Sequence, residues 1–168
     1  MLADWIVGII SDNVAAGAVV ADPMCGTAAI SEALAIKGFK VVAADALYFP
    51  VIHASSRLLI KKEPPFEEFG GYKRVLETLN GLKPKTGFFY KEFGADGRPV
   101  NRDSPRMYFS GENAGKIDAI REFIRQEYDE GKLTDLEHVA LLQNLLLAVN
   151  AVANISGTYG YFLSSLSK

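Results

Sequence analysis

Residues 17–45 read GAVVADPMCGTAAISEALAIKGFKVVAAD, and the succession of residue types along this stretch decides the fold. Gly17 to Ala21 is a short apolar run with two valines, closed by Asp22-Pro23, and it reads as a buried parallel strand. Met24-Cys25-Gly26-Thr27 supplies small residues and one glycine for a sharp turn, and a helical pattern follows from Ala28 to Ile36. Lys37-Gly38 ends that helix with a cation and a glycine, and Phe39 to Ala44 is a second apolar strand ending on Asp45. An acid at the tip of a second strand, roughly 20 residues past a glycine turn, suits a nucleoside-binding βαβ unit, because its carboxylate can accept both ribose hydroxyls.

The turn discriminates between nucleosides. A dinucleotide fold needs three glycines to bring the backbone close to a pyrophosphate, and only Gly26 stands in this turn. No P-loop lysine follows Gly26. A carboxylate at the end of the first strand favours a ligand with positive charge over a phosphate. S-adenosylmethionine fits, with its ammonium and sulfonium groups drawn to Asp22 and its ribose to Asp45. An α/β crossover that binds nothing shares this outline.

Composition bounds the rest. The 168 residues suffice for one domain with a core, and 49% of them are hydrophobic. The net charge of −2 gives no global signal for nucleic acid. Cys25 is the single cysteine, so no internal disulfide forms and a reducing compartment is expected. No apolar run approaches the roughly 20 residues of a membrane span and the start lacks a basic signal, so the expectation is a soluble, cytoplasmic protein. Charge is uneven, however. Residues 61–110 hold ten Lys/Arg against seven acids, a balance of +3 on a remainder of −5. A basic, aromatic-rich segment on an acidic body suits contact with a phosphate backbone, and a solvated loop region has the same composition.

Along the chain, Leu2, Ile6, Ile9 and Ile10 fall on one face of a first helix that Ser11-Asp12-Asn13 closes. After Asp45 a helix is expected over 47–62, with Val51, Ala54 and Leu58 inward; His53 within it stands in no ligand spacing, and no metal site is expected. Residues 63–110 are the least regular, with Pro64-Pro65 as a helix stop, a short helix over 72–79 and several turn signals. Phe88-Phe89-Tyr90 either stack on bases or pin this excursion to the core, the second being favoured. Asn113 begins a helix with an Ile117, Ile120, Ile124 and Tyr128 stripe, flanked by Lys116, Arg121 and Arg125. Thr134 to Glu137 is a capping box, and the apolar helix after it, through Val152, should be largely buried. The division expected is a βαβ half over 1–62, an insertion over 63–110, and a helical pair with a turn over 111–168.

Three stretches together resemble one family. Asp22-Pro23-Met24-Cys25-Gly26-Thr27-Ala28, the run FSGENAGKIDAIR over residues 109–121, and Asn154-Ile155-Ser156-Gly157-Thr158-Tyr159-Gly160 are similar to the amino-terminal half of adenine-N6-specific DNA methyltransferases of the DNA adenine methylase type. The first motif is shared with many methyltransferases, and the other two make the match specific. The resemblance implies an α/β, partial Rossmann-like S-adenosylmethionine-dependent methyltransferase fold, parallel strands with flanking helices, plus a mostly helical insertion. It implies that Asp22, Pro23, Met24, Cys25, Gly26, Thr27 and Ala28 line the methionine end of S-adenosylmethionine, with Asp45 and Ala46 at the nucleoside. Target recognition would map to the insertion, through Lys85, Tyr90, Lys91, Arg102 and Arg106. Asn154, Thr158 and Tyr159 would lie against double-stranded DNA. The implied reaction flips an adenine out of the duplex and methylates its exocyclic nitrogen.

The family pattern has phenylalanine where Met24 stands and a second glycine where Ala28 stands. Its catalytic Asp-Pro-Pro-Tyr is not found after Tyr159, and Glu63-Pro64-Pro65-Phe66 imitates it only in letters. Of the upstream cofactor motif, only Leu2-Ala3-Asp4-Trp5-Ile6 matches what usually follows it. No catalytic residue is therefore assigned, and the chain is expected to be a part that does not turn over alone, its catalytic half being either lost, encoded separately as a complementing chain that would then be a partner, or not included. Two alternatives are a guanine-N2 RNA methyltransferase fragment, which Asp22 to Gly26 also resembles, and a catalytically silent module that binds DNA or a protein partner.

Overall fold

The computed structural model describes residues 2–166, and the chain divides into two compact units between Pro64 and Pro65. The first holds α1 (Leu2–Asn13), β1 (Val19–Asp22), α2 (Ala29–Ile36), β2 (Lys40–Ala43) and α3 (Tyr48–Leu59). β1 and β2 pair in parallel, Val20 opposite Val41 and Asp22 opposite Ala43, so the mixed helix and strand character read from residues 17–45 is present as a small parallel sheet. The strands are shorter than expected. Gly17 is left-handed (φ 76°) and the Ala18 N–H donates to Ala15 O, so the chain is still turning where the apolar run begins.

Burial of these strands alternates. Val20 and Val41 pack against Val7, Leu34 and Phe39, and Ala43 packs against Cys25, Ala28 and Ala54. The opposite row is open, with Val19 64% and Val42 58% exposed. The expected burial of these strands is thus limited to one row: within this unit the helices cover alternate side chains. In α1 the packed stripe is Val7 and Ile10, continued by Val14, while Leu2 and Ile9 lie exposed. Two apolar stripes compete on that helix, and the one leading into β1 wins. α3 buries Ile52 and Ala54 and stops at Leu59, before Lys61, because Ile60 is extended.

The second unit contains a 3-10 turn (Glu67–Phe69), α4 (Tyr72–Gly81), α5 (Phe88–Phe93), α6 (Gly111–Asp129) and α7 (Asp135–Val152). The expected irregular insertion holds two of these helices. Phe109, Ala114, Ile117 and Ala153 form its centre, with Phe89, Tyr90 and Phe93 packed against them, so the aromatic run of α5 serves the core. Phe66 is fully buried in a left-handed conformation (φ 48°), its ring 5.5 Å from Tyr72. Pro64-Pro65 is therefore no helix stop; α3 has already ended at Leu59, and the segment leads into a core anchor.

Buried charges organise this unit. Asp118 of α6, 7% exposed, accepts the Phe89 N–H at 2.9 Å and the Tyr90 N–H at 2.8 Å, capping α5 from outside. A Cβ on Gly87 would stand 2.5 Å from the Asp118 carboxyl carbon, so only glycine allows this approach. Lys116 Nζ donates to Asn80 O at 2.7 Å and to Leu82 O, where α4 ends. Thr134 and Glu137 form the expected capping box, and Glu137 also accepts the Phe66 N–H. α7 buries Ala140, Leu141 and Leu145 but leaves Leu136 41% and Leu147 54% exposed, less covered than its all-round apolar character predicts.

Candidate functional site

The C-terminal ends of β1 and β2 build a platform from backbone and two carboxylates. The Ala44 N–H donates to Asp22 O at 2.9 Å and the Cys25 N–H to Ala44 O at 3.0 Å, so the ladder is carried past the strands and ties the two tips together. Asp45 spans the gap: Oδ2 accepts the Gly26 N–H at 3.1 Å and Oδ1 the Leu47 N–H at 3.0 Å. These donors, Leu47 first and then Gly26, hold the Asp45 carboxyl below the usual carboxylate range, so it is ionised at neutral pH. Asp22, at the end of β1, accepts the Ser31 hydroxyl at 2.6 Å. Ser31 is fully buried in the first turn of α2 and was not singled out in the sequence; its only signal there is a hydroxyl amid an alanine-rich helix.

Both carboxylates act on the Cys25 thiol, whose pKa is pushed up by burial first and then by Asp22 and Asp45. The two acids therefore converge on one loop. Within that loop Pro23, Met24 and Thr27 are exposed, as is Ala46 beyond β2, while Cys25 and Ala28 turn inward against Ala54. Met24 is 84% exposed, so it fills no interior space in this unit. Ala28 is left-handed (φ 58°) and α2 has no side-chain cap. Among the described residues no group of three metal-ligating side chains gathers.

The residues expected against DNA all lie in the second unit and divide into two kinds. Lys85, Lys91, Arg102, Thr158 and Tyr159 are exposed. Lys85 pairs with Glu122 at 2.8 Å, and Arg102 donates to Ser104 Oγ at 3.2 Å beside the Phe162 ring. Tyr159 donates to Asn150 Oδ1 at 2.8 Å and its carbonyl accepts from the Tyr108 hydroxyl. Tyr90, Arg106 and Asn154 serve the fold. Tyr90 packs in the α5 cluster, and Arg106 is paired with Glu92 at 2.9 Å over the Phe93 ring. Asn154 is 2% exposed, and its amide donates to Met107 O at 2.9 Å and Leu163 O at 3.1 Å, pinning the turn that carries Thr158 and Tyr159. Asn154 thus lies beneath the turn whose Thr158 and Tyr159 are exposed.

All of residues 1–168 match the family model described as D12 class N6 adenine-specific DNA methyltransferase. The chain belongs to that class. It is 32% identical over 171 residues to the modification methylase LlaI of Lactococcus lactis subsp. lactis, an alignment covering 96% of this chain and 25% of that protein. It is 32% identical over 170 residues to the type II methyltransferase M.FokI of Planomicrobium okeanokoites, covering 99% of this chain and 26% of that one. With M.NlaIII of Neisseria lactamica the identity is 34% over 94 residues, 56% of this chain and 27% of the relative. The chain therefore spans about a quarter of the length of the relatives it matches. No solved structure matches it. A separate complementing chain finds no support in these matches.

Within this D12-class chain the departure at position 28 has a structural reading. Where the family pattern carries glycine, Ala28 sits in the left-handed region that glycine occupies without cost. The backbone of the turn has kept the glycine shape, and the methyl group is directed into the core beside Cys25 and Ala54.

Proposed function

We propose that the chain is the cofactor-holding part of a DNA adenine-N6 methyltransferase using S-adenosylmethionine, within the complete Rossmann-like fold of that class. The observation that carries the cofactor reading is the Asp45 bridge between Gly26 and Leu47, which fixes an ionised carboxylate beside the loop after β1. The donor set fits the nucleoside: each Asp45 oxygen accepts one backbone N–H and retains a second lone pair for a ribose hydroxyl. Asp22 has one oxygen committed to Ser31, which leaves the other for a cationic group. The first-turn N–H groups of α2, without a side-chain cap, complement the carboxylate of the same ligand. When bound, S-adenosylmethionine supplies the electrophilic methyl group. The chain's own residues bind and orient it.

The DNA reading rests on the family match, and Lys85, Lys91, Arg102, Thr158 and Tyr159 are the exposed groups that would contact the duplex, with Tyr90, Arg106 and Asn154 supporting them from below. Calorimetric titration with S-adenosylmethionine tests the cofactor half. Micromolar to millimolar binding that weakens at least tenfold in D45A is expected; no heat of binding, or equal heats from both proteins, refutes it.

A further inference from the structure

A cavity of about 560 Å³ opens on the second unit, and its wall is rich in cations: Lys85, Arg121 and Arg125 line it beside His138, against Asp118 and Glu122. The acids are already engaged. Asp118 is spent on the Phe89 and Tyr90 N–H groups, and Glu122 is paired with Lys85. Arg121 lies 5.1 Å over the Phe89 ring, a contact that consumes none of its five N–H donors. Arg125 stands one helical turn further along α6, on the same side, and both arginines are exposed. Like charges at this spacing repel each other, a cost that a bound anion removes.

We propose that Arg121 and Arg125, with Lys85 opposite, seat backbone phosphates of duplex DNA. This rests on the DNA methyltransferase reading and adds to it the α6 arginines, which flank the apolar stripe of that helix. Guanidinium forks take phosphate oxygens two at a time, and the cavity leaves room for the sugar-phosphate strand above them. Contacts of this kind position the duplex without reading its sequence.

Fluorescence anisotropy of a labelled duplex of about 30 base pairs, titrated with the chain across a salt series, tests the seat. Each lost phosphate contact lowers the slope of log K against log salt by about one, so R121Q/R125Q is expected to lose about two from the slope and about tenfold or more in affinity, equally on unrelated duplexes. R125Q alone, at an exposed position, should lose about one. E122Q is expected to tighten binding about threefold, an effect of opposite sign that unfolding does not produce. K73Q, on α4 outside the cavity, should keep the wild-type slope. A double variant with wild-type slope and affinity overturns the phosphate seat while leaving the DNA reading intact. A wild-type chain that shows no salt-dependent binding to duplex overturns both.

Discussion

Each unit carries a pair of carboxylates held by hydrogen-bond donors of the chain, backbone N–H groups for Asp45, Asp118 and Glu137 and the Ser31 hydroxyl for Asp22, and the pairs differ in what they leave over. Asp22 and Asp45 sit half-buried at the tips of β1 and β2 and retain lone pairs toward the loop they share. Asp118 and Glu137 are 7% and 4% exposed, and their oxygens are turned to Phe89, Tyr90, Phe66 and Thr134. A carboxylate bonded to amides is thus not in itself a ligand site. Access to solvent and unspent acceptors separate the two roles, and substitution should separate them again: the buried pair through stability, the strand-tip pair through affinity.

The largest effect should come from Asp118. D118A strands two amides of α5 and empties the space that Gly87 was kept small to admit, so it should cost about 2–4 kcal/mol in urea unfolding. D118N, which retains one good acceptor, should recover part of that loss. A D118A unfolding midpoint equal to wild type would mean that solvent satisfies the α5 amides and that the buried acid has another role.

Asp45 should show the reverse pattern. D45A is expected to reduce S-adenosylmethionine affinity at least tenfold while moving the unfolding midpoint less than D118A does, because Asp45 is only half-buried and water can reach the N–H groups it leaves. Loss of stability without loss of affinity would place Asp45 with the buried pair and remove the contrast.

The contrast also marks what the sequence could disclose. The βαβ unit was legible because its signals are local: an apolar run, Gly26 in the turn, Lys37-Gly38 at the helix end, and an acid at the second tip all fall within 29 residues. The capping box at Thr134 was legible for the same reason. Asp118 was not, since it caps a helix 28 and 29 residues earlier in the chain, and nothing in its own neighbourhood marks it. Lys116 reaches 34 and 36 residues back in the same way, and Glu137 reaches Phe66 across 71. The place of Asn154 is set by distant partners as well: the resemblance of residues 154–160 puts that turn against DNA, whereas the Asn154 amide is consumed by two carbonyls beneath the turn. The strand boundaries shifted because β1 can begin only after the left-handed Gly17.

Ala28 offers a smaller test within the first unit. A28G should relieve about 1 kcal/mol of left-handed strain and forfeit a buried methyl worth about 0.8 kcal/mol, so the two nearly cancel. A28V adds a β-branched side chain at positive φ in a fully buried position and should destabilise by about 2 kcal/mol or more. Thermal unfolding of the two variants side by side tests the conformation directly. An A28V protein as stable as wild type would show that the turn abandons the glycine shape.

The smallest effect expected is a pH dependence in the second unit. His138 stacks on Tyr128 with ring centroids 4.0 Å apart, and partial burial holds its pKa below the usual histidine value against the pull of Asp135 and Asp129. The unfolded chain then binds the proton more readily than the folded one, so the contribution of His138 is fully present above the ordinary histidine pKa of about 6.5 and is lost as pH falls through the lower folded value. In H138Q the stacking is gone at every pH, but no proton is taken up on unfolding at this position. The gap in urea midpoint between wild type and H138Q should therefore be widest at pH 7.5 and narrow steadily toward pH 5, because groups other than His138 titrate alike in both proteins. A gap that stays constant over that range would show that burial exerts no hold on the imidazole, and that the α7 wall of the cavity is as wet as the strand tips.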